Sequence, residues 1–215
     1  MKAIDIFGLL NLGLFGALCV LRYHDRFVRY RGALHIEEFY FYAVMLLLGI
    51  AILWRWFRHF DLRWPIMLAL QWGITMHFLG AFVQWDGARL YDAHLAGLRY
   101  DKYVHATNAF AVALLVSRLL PVAALRSAWI HALAVVLVVL GLGAVVEIVE
   151  YLVVLTVPEH GVGGYDNNMQ DLIANALGAS LAMAMQGVWR AAWPVPDRTD
   201  HAGHEAWRQS RANNA

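Results

Sequence analysis

The chain has 215 residues, 60% of them hydrophobic and 15% charged, with a formal net charge of +1. Soluble domains run at roughly 45–50% apolar and about 25% charged, and a domain this small cannot hide such an excess of apolar surface in its own core. A soluble enzyme, a disordered chain and a nucleic-acid binder are excluded, and the single Cys19 excludes an internal disulfide framework and a cysteine-based zinc site.

The solvent is therefore a bilayer, whose hydrocarbon core takes about 20 apolar residues per helix, within a range near 17–25. Six stretches qualify. The first covers residues 3–21; it lacks a small-residue cleavage pattern and is read as a span rather than a signal peptide. The second, 39–57, carries Trp54 and Trp56 where an aromatic belt belongs, and the third, 64–85, has a tryptophan at each end. The fourth begins at Tyr100 and ends before Pro121. The fifth lies within 129–157, longer than a span needs, and so is expected to tilt or project. The sixth covers 169–189.

The expected fold is thus all-α, a polytopic bundle of six transmembrane helices over 1–190, followed by a polar, flexible tail over 191–215. No internal repeat is expected. An even number of spans puts both termini on one side. With termini in the cytoplasm, ten of the 17 basic residues lie inside, a weak bias in the expected direction.

Ionisable groups inside spans are costly and point to function. Asp101, His105 and Asn108 share one helical face, as do Glu147 and Glu150 one turn apart. Asp171, Asn175 and Gly178 form a third stripe, Asp166 stands at its head, and His77 and Gln84 lie seven residues apart on the third span. The ends of spans three and five and the starts of spans four and six all fall on one side of the membrane. One cavity can therefore collect Asp101, Lys102, His105, Glu147, Glu150, Asp166 and Asp171 as catalytic candidates. Asn108, Asn175 and Gln84 are their supports.

Two carboxylates at such depth must share a proton, meet a cationic side chain or bind a cation. Oxygen ligands joined by histidine suit zinc, iron or manganese, and oxygen ligands alone suit magnesium. His77, His105, Glu147, Glu150 and Asp171 are the candidate ligands of such a divalent ion. Each residue also has a plainer reading: His77 as a packing histidine, Asp101 and Lys102 as an interfacial salt bridge, Asp166 as a helix cap, and Asp171 and Asn175 as helix cross-links. Asp5 and Asn11 in the first span stand apart and read as structural.

The order Tyr100-Asp101-Lys102-x-x-His105, Glu147-x-x-Glu150 and Asp166-x-x-x-x-Asp171-x-x-x-Asn175-x-x-Gly178-Ala179 resembles the VanZ-like superfamily of small bacterial inner-membrane proteins, and its YjdF-like branch more closely. VanZ-like proteins often carry glutamine where this chain has Glu150. The resemblance implies a multi-pass protein of the bacterial inner membrane with an envelope role, and it implies no particular reaction. Three functions stay open: an enzyme, such as a hydrolase, acting on a lipid or lipid-linked substrate; a proton- or cation-coupled transporter; and a non-catalytic accessory protein. Membrane lipids are expected partners, and nucleic acid is not.

Overall fold

Long apolar segments fold as helices because, away from water, each backbone N–H and C=O must find its partner within the segment. The computed structural model describes residues 2–60, 62–120, 125, 127–156 and 164–192. Among the described residues, six long helices stand at the six predicted positions. The first, α1 (Ala3–Leu18), continues through a π-helical turn at Cys19–Tyr23 into the short α2 (His24–Arg31). The rod therefore outruns its predicted end and stops at Gly32, whose φ of 87° breaks the helix. Next come α3 (Ile36–Phe57), α4 (Trp64–Phe82), α5 (Tyr100–Leu119), α6 (Ala128–Thr156) and α7 (Tyr165–Ala192). The predicted polar tail lies outside the described residues from 193 onward.

Four segments are long and apolar enough to cross a membrane: Ala3–Arg29, Ala33–Phe57, Trp64–Phe82 and Ala128–Leu152. The chain is an all-α, multi-pass membrane protein with at least these four crossings. The other two predicted spans, α5 and α7, have the length but carry the polar stripes that lower their hydropathy.

The third span ends at Phe82, short of the predicted Trp85, and the chain then makes two tight antiparallel hairpins. In the first, β1 (Gln84–Trp85) pairs with β2 (Ala88–Arg89); in the second, β3 (His94–Leu95) pairs with β4 (Leu98–Arg99). Asp86-Gly87 and Ala96-Gly97 form the turns, all four residues at positive φ, which is what two-residue hairpins with native strand twist require. The hairpins repeat at a spacing too short and too weakly marked to stand out from sequence alone. Arg89 and Arg99 occupy equivalent positions, and both grip Asp92 of the intervening 3₁₀ turn, at 3.0 and 3.1 Å.

Helix α5 is the hub, packed against α4, α6 and α7. Residues four apart make the contact stripes: Ala109 and Ala113 on α5, Val135 and Val139 on α6, Ala179 and Met183 on α7, joined by Ala182. Small side chains let the backbones approach closely. The tightest place is Gly178, where a Cβ would overlap the Ala106 carbonyl of α5. Gly178→Ala therefore has to push α7 off α5, an overpacking that costs about 1–3 kcal/mol. A lowered midpoint of unfolding in detergent is the expected result. Alanine at Gly187, which has open space around its Cβ position, is the control.

The α1–α3–α4 end is held differently. Asp5, read as structural, accepts hydrogen bonds from the Lys2 backbone, Trp54 and Arg58, tying the start of α1 to the end of α3. Asn11 donates to Gln71 on α4 at 2.8 Å.

Candidate functional site

At one end of the bundle, the first turns of α5 and α7 meet the last third of α6. Lys102 is the centre of the arrangement. Its buried ammonium donates to Asp171 Oδ1 at 2.7 Å, to Asn167 Oδ1 at 2.9 Å and to Asp101 Oδ2 at 3.3 Å. An ammonium has three N–H groups, and here each has an acceptor. Asn167 in turn donates to Asp171 Oδ2 at 2.7 Å and accepts from Arg99 at 2.8 Å. Asp171, 1% exposed, thus has both oxygens engaged.

His105, one turn below Asp101, lies between two carboxylates. Its Nε2 is 3.5 Å from Asp171 Oδ1 and its Nδ1 is 3.9 Å from Glu147 Oε1. One ligand atom each from His105, Glu147 and Asp171 lies within 4.8 Å of the other two, a geometry compatible with a divalent metal ion. Glu147 is the exceptional member: it is 5% exposed, and its two buried carboxylate oxygens have no hydrogen-bond partner among the described residues. Asp101 Oδ1 is left the same way. A buried carboxylate with no donor is costly unless it is protonated or paired with a cation.

Beside the cluster lies a cavity of about 290 Å³ bounded by α4, α5 and α6, with Asn175 entering from α7. Its polar end holds His77, His105 and Glu150. Glu150 therefore belongs to the cavity wall, while Glu147 belongs to the buried cluster. His77 is outside the three-residue ligand geometry. Its Nδ1 is 3.0 Å from the hydroxyl of Tyr91, in the turn between the two hairpins. Burial, reinforced by the carboxylates of Asp101, Glu150 and Asp171, raises the pKa of Tyr91 well above the ordinary phenol range. The phenol thus stays protonated and can donate to His77.

Two supports have packing roles. Asn108 donates to its own helix at Val104 and fills the space left by Gly73 on α4; Asn175 lies against Gly143 on α6. Two predicted members are elsewhere: Gln84 is exposed on β1, because α4 stops before it, and Asp166 is exposed on the first turn of α7. Sequence reasoning left out Asn167, Arg99 and Tyr91. Arg99 and Tyr91 come from the hairpin segment, whose course over the cluster has no periodic signal. Asn167 was adjacent to a chosen residue, one position from Asp166, and four before Asp171 on the same helical face.

No curated protein and no solved structure matches the chain. A family profile described as a predicted membrane protein (DUF2238) matches residues 10–192, which takes in the second half of α1, every helix from α2 to α7 and the whole polar cluster. The chain belongs to this DUF2238 family of membrane proteins.

Proposed function

We propose that this protein is an enzyme of the bacterial inner membrane that acts on a lipid or lipid-linked substrate, using a divalent metal held by His105, Glu147 and Asp171. The observation that carries the reading is Glu147, a buried carboxylate aimed at a histidine and a second carboxylate with no donor of its own. One histidine and two carboxylates suit zinc, manganese or iron better than magnesium. Bound there, the ion would polarise an ester or phosphoester oxygen and acidify a water. Lys102 and Asn167 orient Asp171 and limit its freedom to swing away. His77, presented by the Tyr91 hydroxyl, and Glu150 stand at the cavity end as the groups able to move a proton to or from substrate. The order of motifs supports kinship with the VanZ-like proteins, and the distribution of basic residues supports cytoplasmic termini.

A transporter needs a polar route past the site. Below the cluster, the described contact between α5, α6 and α7 is built of Ala109, Ala113, Val135, Val139, Ala179 and Ala182, which supports an enzyme over a carrier. The accessory reading has its own support in the Arg99–Asn167–Lys102–Asp171 network, which would brace the helix ends with or without chemistry.

The test is metal content. Protein purified without chelator, or refilled with zinc or manganese, is expected to hold about one ion per chain by elemental mass spectrometry, and His105→Ala to hold at least tenfold less. Hydrolysis of labelled bacterial lipids in nanodiscs should fall in step. Metal-free wild-type protein after refilling, or equal loading of His105→Ala, would defeat the metal reading.

A further inference from the structure

The cavity beside the cluster is amphipathic along its length. From the polar end at His77, His105 and Glu150 it runs down α6 past Val146 and Leu142 to Val139, with Val112 of α5 at the same lower level. From Glu150 to Val139, at 1.5 Å per residue, is about 16 Å. One leaflet of a hydrocarbon core is about 15 Å deep, half of roughly 30 Å. The flanking helices, α4 and α6, are both able to cross a membrane, and Leu142 and Val146 on the rim are half exposed.

We infer that this groove takes one acyl chain of a membrane lipid, entering sideways between α4 and α6, so that the headgroup linkage comes to rest beside His105 and Glu150. The length match and the placement of the ionisable groups at one end only, with the amides of Asn108 and Asn175 partway down against Gly73 and Gly143, select this occupant. A helix from a partner would meet the cavity's polar end with its own apolar face. A small polar solute would leave the Val112–Val139–Leu142 end without a partner. The inference rests on the lipid reading above and specifies it: the chain is bound from the bilayer, and the cluster addresses the bond nearest the headgroup.

The experiment uses the purified full chain in detergent, titrated with palmitoyl and hexanoyl lysophosphatidylglycerol and read by native mass spectrometry. The two probes share a headgroup and differ only in chain length. Each buried methylene favours binding about fourfold, so the palmitoyl lipid is expected to form a one-to-one adduct at concentrations at least tenfold below those the hexanoyl lipid needs. Leu142→Trp and Val112→Phe fill the lower groove and are expected to weaken the palmitoyl adduct at least tenfold without changing zinc uptake. Leu142 is at the half-exposed rim, so its variant tests the groove even if Val112→Phe fails to fold. Adducts independent of chain length, or a Leu142→Trp variant that binds palmitoyl lipid like the wild type, would overturn the inference. His105→Ala separates the two proposals: a kept adduct with lost zinc supports the groove, and a chain-length-selective adduct on a wild type that takes no metal supports the groove while ending the metal reading.

Discussion

Replacing Glu147 by glutamine is expected to raise the stability of the metal-free protein and to abolish its stabilisation by zinc. The two effects have opposite signs and one cause. Both oxygens of the Glu147 carboxylate are buried and have no hydrogen-bond partner among the described residues, and without a cation a neutral amide of the same shape costs less to bury than a bare anion. Removing that burden should gain on the order of 1 kcal/mol. With zinc present, the carboxylate becomes an asset. A ligand at a hundred times its Kd stabilises the state that binds it by about 2.7 kcal/mol, which at roughly 2–4 °C per kcal/mol for a chain of this size is several degrees in Tm. Thermal unfolding in detergent, with and without zinc, reads both. Wild type should shift upward with zinc, Glu147→Gln should start higher and not move, and Glu150→Gln should still respond because Glu150 lines the cavity outside the three-ligand set. An equal zinc shift in Glu147→Gln would remove this residue from the metal site.

That contrast between Glu147 and Glu150 also marks where sequence reasoning reached its resolution. Residues three apart on a helix count as one face, yet they differ by about 60° around the axis. In a crowded bundle, that angle sends one carboxylate into the three-helix contact and the other to the cavity. Spacing predicts that both converge on one end, as they do, and is silent about which neighbour each meets. Coarser features were legible for definite reasons. Asp101–His105 and Asp171–Asn175 are each four apart, so their meeting follows once two helix starts share a membrane side. Hydropathy scores Lys102 on α5 and Asp171 on α7 as two isolated charges, whereas in the fold they are one ion pair at 2.7 Å. The hairpins were missed because each strand is two residues long, too short for alternation to register. Asp86-Gly87 is a recognisable turn pair, whereas Ala96 at φ 49° departs from the residues usual in that conformation.

Removing the Lys102 ammonium should be the most damaging single change in the cluster. Lys102→Met takes its closest cation from Asp171, which is 1% exposed and keeps its bond from Asn167, and among the described residues it leaves Asp101 the more distant Arg99, at 3.6 Å. Breaking a buried ion pair from one side typically costs about 3–5 kcal/mol, because the remaining charge is left without compensation. Equilibrium unfolding in mixed micelles should show a loss of that order. Replacing both partners of a buried pair by apolar residues is far better tolerated than removing one, so Lys102→Met combined with Asp171→Leu should recover much of the stability. Asp101 and Asn167 keep the recovery short of complete, since each loses a partner in the double variant. A pair of independent losses that simply add would show that Lys102 and Asp171 are not energetically coupled, against the 2.7 Å contact. The recovered double variant then separates bracing from chemistry. If the network serves only to hold α5 against α7, restoring the fold should restore the protein's effect in the cell. If Asp171 holds a metal, the double variant should fold, take up no zinc and remain inactive, and that is the expected outcome.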